Sequence, residues 1–149
     1  MIQKKNQMLV LAFLVLCSCA APVQHATASG KPEVTIAAAP KAIRSALENG
    51  MVNSGYTIAK DSNEVLVFEK EVTENLGASL IYGSQANPYP TARARFYLIP
   101  EGKRTRVVGD LSVISNGGSP YERVHALNNG VDSDTVQKML YRLKNKFEK

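Results

Sequence analysis

The sequence predicts an α+β fold: a two-layer sandwich with an antiparallel sheet of about four to five strands and two helices on one face. Three observations lead there. Apolar residues recur at helical spacing near residue 45 and again near the C-terminus. Between those stretches lie four β-prone runs joined by turn chemistry. The 149 residues suffice for one ordinary domain, and hairpin-linked strands need helices on one side to bury their apolar face. Hydrophobic residues make up 44% of the chain and charged residues 21%, a globular rather than a disordered balance. With no Trp and 7% aromatic residues, the core has to be aliphatic.

The elements follow in the order (β)-α-β-β-β-β-α. Glu33–Ala37 is a short first strand. Pro40 suits the first turn of a helix, where its missing N–H is harmless. Ile43, Ala46, Leu47 and Met51 share the apolar face of that helix, and Gly55 supplies a left-handed cap after Ser54. Tyr56–Lys60 and Glu64–Glu71 form a hairpin around Asp61-Ser62-Asn63. Thr91–Ile99 and Arg104–Ser115 form a second hairpin. With Glu101-Gly102 as its loop, Phe96 faces Val107, Leu98 faces Thr105, Ala94 faces Gly109 and Ala92 faces Leu111. The opposite face then pairs Tyr97 with Arg106, Arg95 with Val108 and Arg93 with Asp110. The last helix opens on Asp132, Ser133 and Asp134, which supply cap oxygens and negative charge. Its apolar stripe is Val136, Met139, Leu140, Leu143 and Phe147.

Residues 1–30 are of a different kind. Lys4 and Lys5 precede an apolar run from Met8 to Leu16. That run is too short to cross a bilayer, which takes about 20 residues, and has the length of a signal-peptide core. Leu16-Cys17-Ser18-Cys19 follows it. This stretch resembles the lipobox of bacterial lipoproteins, with Leu at −3, a small residue at −1 and cysteine at +1. The resemblance covers the leader only and names a processing class, not a domain family. It implies cleavage before Cys19 and acylation of Cys19 as a membrane anchor. Cys17 at −2 departs from the usual Ala, Ser, Thr or Val. Ala20 rather than Asp after the cysteine implies sorting to the outer membrane. The rival is Ala26-Thr27-Ala28, an A-x-A site whose use would leave a soluble periplasmic protein.

The expected organisation is a signal peptide over residues 1–18, a flexible tether over 19–31 rich in Ala, Pro, Thr, Ser and Gly, and one domain over 32–149. Removing the leader takes away Lys4 and Lys5 and leaves 16 basic against 13 acidic residues, a mild net +3. Cys17 leaves with the leader and Cys19 carries lipid. The domain then has no thiol for a disulfide or metal site.

No HExxH, GxSxG, GxGxxG or CxxC motif is present, and no spacing of serines, histidines or acids implies a catalytic unit. The sequence therefore predicts neither an enzyme nor a metal or cofactor site. Arg93, Arg95, Arg104 and Arg106, with Tyr97 among them, fall on the outer face of the second hairpin. Arginine forks suit phosphate or carboxylate, so this face is a candidate for an anionic envelope component such as lipid, lipopolysaccharide or peptidoglycan. The plainer reading is a solvated face that keeps the sheet soluble. Export disfavours nucleic acid as a partner. The connection Leu76–Pro90, with Leu80, Ile81, Tyr82 and Tyr89, is long for a loop and apolar, which suits a partner contact or packing across a sheet edge. Tyr121 and Arg123 in the loop Asn116–Val131 are further candidates. The leading expectation is a non-enzymatic outer-membrane lipoprotein whose periplasmic domain contacts a protein of an envelope assembly. An anion-binding module comes second and a small hydrolase or hydrolase inhibitor third.

Overall fold

A computed structural model describes residues 22–85 and 87–149. The chain folds as β1 (Glu33–Ile36), α1 (Pro40–Asn53), β2 (Thr57–Asp61), β3 (Val65–Glu71), α2 (Leu76–Tyr82), β4 (Thr91–Glu101), β5 (Arg104–Ser115), β6 (Arg123–Ala126) and α3 (Val131–Phe147). The strands form one antiparallel sheet in the order β1-β5-β4-β3-β2, with β6 also paired to β5. β5 is long enough to hold two strands on one edge: β1 along Thr105–Val108 and β6 along Ser112–Ser115. Between them, Gly109 donates to the Pro32 carbonyl and Leu127 to the Leu111 carbonyl. The predicted α+β sandwich is present, with six strands and three helices.

The alternation of side chains across the pleat places the core on one face. Leu66 and Phe68, Ala94, Phe96 and Leu98, Val107 and Leu111, and Val34 and Ile36 are buried there in a single cluster with Ile43, Leu47 and Met51 of α1 and Leu140 of α3. The Phe68 and Phe96 rings meet edge to face at 6.0 Å. α1 lies against β2 and β4, and α3 against β1 and β5. The α1 C-terminus closes as sequence predicts. Gly55, at φ 81°, donates to Val52 and Tyr56 donates to Met51, so the last carbonyls are satisfied and the chain turns back into β2.

The second hairpin differs from the predicted register. Its two-residue loop is Gly102-Lys103, so Glu101 lies opposite Arg104 and Pro100 opposite Thr105. Gly102 has φ 63°, and the first loop position of a type II′ hairpin is where glycine is needed. Every partner moves by two residues: Phe96 faces Gly109, Leu98 faces Val107, Ala94 faces Leu111, and Arg95, not Arg93, faces Asp110. A shift of two preserves the pleat, so each side chain stays on its predicted face.

Three further differences have local causes. The Leu76–Pro90 connection contains α2, started by Asn75, whose Oδ1 accepts from the Ala78 N–H at 3.0 Å. The Asn116–Val131 loop contains β6. α3 begins at Val131 behind Gly130, with no side-chain cap. Ser133 is fully buried and turns its hydroxyl onto the Gly130 carbonyl, while Asp132 and Asp134 place negative charge in the first turn.

The segment expected to be a tether makes defined contacts from Pro22 onward. Val23 donates to the Asn129 carbonyl, His25 meets Ser133, and Lys31 pairs with Asp110. No helix among the described residues is long and apolar enough to cross a membrane. Phe96 sits at the centre of the core, so Phe96→Ala is expected to cost about 3–5 kcal/mol in urea unfolding. Tyr141→Ala on the exposed side of α3 should change stability by no more than about 0.5 kcal/mol.

Candidate functional site

The outer face of the sheet carries the predicted arginines, but most of them are occupied. Arg106 makes a two-pronged pair with Glu33 of β1, Nε to Oε1 at 2.7 Å and an Nη to Oε2 at 2.9 Å. Arg93 reaches across to Glu69 of β3 at 2.6 Å. Asp110 collects three neighbours: Lys31 at 3.1 Å, Arg95 at 3.9 Å and the Asn128 amide at 2.8 Å. Arg104 is exposed at the hairpin end, opposite Glu101. Tyr97 lies within this row, opposite Val108. The row is a ladder of ion pairs joining β1, β5, β4 and β3. Two of its acids, Glu33 and Glu69, come from strands whose pairing the sequence reading did not foresee, and they use the forks that an external anion would need. A hollow of about 290 Å³ between Arg93, Arg95, Asp110 and Val124 remains on this face.

The other predicted site residues are scattered. Tyr82 packs on His125 of β6, ring centres 5.0 Å apart. Tyr89 is partly exposed beyond α2. Cys19, expected to carry lipid, lies outside the described residues. His25 Nε2 stands 2.9 Å from the Ser133 Oγ, the beginning of a base–nucleophile pair. The hydroxyl has one proton and gives it to the Gly130 carbonyl at 2.7 Å. Ser133 Oγ thus lies between the His25 ring and the Gly130 carbonyl, a contact that ties the segment around His25 to α3. Among the described residues no group of three or more His, Cys, Asp or Glu side chains is placed to hold a metal.

A larger concavity than this hollow lies on the helix side and was missed by sequence reasoning. A cleft of about 610 Å³ opens beyond the end of α1. Its floor is Ala92, Ala94, Leu111 and Val113 of β4 and β5. Tyr56 and Lys70 form one wall, Thr135 and Val136 of α3 the other, and Val72–Asn75 with Ala78 of α2 close the end. It exists because α1 stops at Asn53 and the β4 residues beneath are alanines, so no side chain fills the space. No motif marks it; the adjacent small residues Ala92 and Ala94 are the only trace in the sequence.

The charged groups that line the cleft are Glu71, Glu74 and Asp132 against Lys70 and Arg93, and Arg93 is paired with Glu69. Glu71, Glu74 and Asp132 stand at its edge, and none makes an ion pair within 4.0 Å among the described residues. Lys70 is held at one side, donating to the Ser54 carbonyl at 3.1 Å with its ammonium 5.9 Å from the Tyr56 ring centre. Burial, with a further push from the Asp132 carboxylate, raises the Tyr56 phenol above its ordinary value. The arrangement offers an apolar floor, a hydroxyl that stays protonated and an anionic rim. It suits recognition of an apolar group next to a cation.

The Glu33–Arg106 pair yields a pH prediction. The hydrogen bonds from Arg106 hold the Glu33 carboxyl below its ordinary 4.5, against the opposing effect of burial. The folded state therefore releases this proton more readily than the unfolded chain. The resulting stability is complete above the unfolded value and is lost as pH falls through the lowered folded one. Glu33→Gln is expected to lower the melting temperature at neutral pH. The gap from the natural protein should close as pH drops below about 4.5, the ordinary value. Parallel melting curves at neutral and acid pH check this. Comparison with protein-family models, with curated proteins and with solved structures finds no match for this chain.

Proposed function

We propose that this protein is an outer-membrane lipoprotein, anchored through acylated Cys19, whose periplasmic domain is a non-enzymatic partner-binding module of an envelope assembly. The cleft over Ala92, Ala94, Leu111 and Val113 is the observation that carries this reading. It is a preformed concavity of the size that ligand sites commonly have, and it contains no nucleophile–base arrangement. Its occupant in this account is an extended segment of another envelope protein, with a small apolar side chain for the floor and a Lys or Arg for the Glu71, Glu74 and Asp132 rim. Charge complementarity selects that partner over an acidic one. The paired arginines of the outer face count against the alternative in which the domain binds an anionic envelope component there.

The test uses the full chain in its own cells. A photo-crosslinking residue at Thr135, on the cleft wall, is expected to capture one envelope protein, and the same residue at Lys103 in the hairpin loop is not. Mass spectrometry of the crosslinked peptide should find Lys or Arg beside apolar residues, and Glu74→Lys with Asp132→Lys should abolish the adduct. No adduct at Thr135, an acidic captured segment, or capture that survives the charge reversals contradicts the proposal.

A further inference from the structure

The exposed apolar residues are unevenly placed. Among the described residues, Leu80, Ile81, Tyr121 and Val131 are the most exposed large hydrophobic side chains, at 77%, 73%, 78% and 72% of full exposure; none of the others described exceeds 58%. All four belong to one end of the domain. α3 begins there, because its first turns lie beside the Leu111 level of β5 while Glu148, beyond its end, bonds Ala37 next to β1. α2 is at the same end: Ala78 shares the cleft with Val113, and Tyr82 stacks on His125 of β6. Tyr121 precedes β6, which pairs with the last residues of β5. The opposite end has the hairpin loop Gly102-Lys103, the Ser62-Asn63 turn and the charged C-terminus.

The chain enters the domain at the apolar end. Val23 is bonded to Asn129, two residues before Val131, and His25 is bonded to Ser133. From Cys19 to Pro22 is three residues, at most about 10 Å of extended chain. An acyl group on Cys19 therefore holds this end, and no other, within about 10 Å of the bilayer surface.

We infer that the end formed by α2, the β6 approach and the start of α3 is seated on the lipid surface, with Leu80, Ile81, Tyr121 and Val131 entering the headgroup region. The inference rests on the lipid-anchor reading above and adds an orientation to it. Aliphatic side chains and a tyrosine are the groups that favour that interface. The tether supplies a high effective concentration, so a contact too weak to recruit the domain by itself is populated once the anchor is in place. The basic hairpin loop then points away from the membrane.

The test reconstitutes the full lipid-bearing protein into vesicles of phosphatidylethanolamine and phosphatidylglycerol. Single cysteines replace Ile81, Tyr121, Asn63 or Lys103 and carry an environment-sensitive fluorophore; the positions are exposed, and circular dichroism checks each fold. The dyes at Ile81→Cys and Tyr121→Cys are expected to shift to the blue, brighten several-fold on vesicle addition and be quenched by spin-labelled lipid. Those at Asn63→Cys and Lys103→Cys should not change. Protein that floats with the vesicles while Ile81→Cys and Tyr121→Cys stay in water overturns the seating and leaves the anchor standing; the patch is then a surface for protein. Protein that does not float overturns both.

Discussion

The pairing of β4 with β5 is the constraint on which the rest of the structure depends. It runs without a break from Thr91 opposite Ile114 to Glu101 opposite Arg104. Gly102 sets its register, because a left-handed residue is needed at the first loop position. Once that register is set, Ala94, Phe96, Leu98, Val107 and Leu111 share one face, and α1 and α3 have one apolar surface to cover. β5 then serves as the common support for β1, β6 and the Pro32 carbonyl along its free edge. A slip of one residue would turn the Phe96 and Leu98 side chains to the opposite face and dismantle every one of these contacts.

The same register arranges the charges. Arg95 opposite Asp110 leaves Arg93 free to meet Glu69, while Arg106 lies within reach of Glu33. Partly exposed ion pairs of this kind add little stability individually. Their larger effect is on selectivity, since a paired guanidinium is a poor receptor for another anion. The face that looked most like a binding site in the sequence has three of its four arginines paired, while Glu71, Glu74 and Asp132 at the recess that sequence left unmarked make no ion pair among the described residues.

Much of the fold was legible because its signals are local. The α1 stripe, the Gly55 cap and the alternation in the second hairpin each depend on neighbours in sequence. The faces of that hairpin were assigned correctly although its loop was placed one residue early, since the register error of two leaves parity unchanged. The partners were not, and the Arg93–Asp110 pairing that seemed to support the register is replaced by Arg95–Asp110. α2 and β6 were missed because seven- and four-residue elements are too short for a periodic signal and are flanked by Gly and Pro. The cleft was invisible for a different reason. It is the space between α2, α3 and the end of β3 over two alanines, and such space depends on where three separate elements come to rest.

These features fit a domain held close to a membrane by its own chain. Residues 22–32 run along α3 and β5 instead of standing off from them, held through Val23, His25 and Pro32. The proposed function depends on acylation of Cys19, which in that proposal places the protein at the envelope and sets which end faces the lipid. The direct test is the mass of the N-terminal peptide of protein extracted from membranes. The account predicts a peptide beginning at Cys19 and carrying two or three acyl chains. An unmodified peptide beginning at Ser29 would contradict it and make the protein a soluble periplasmic one.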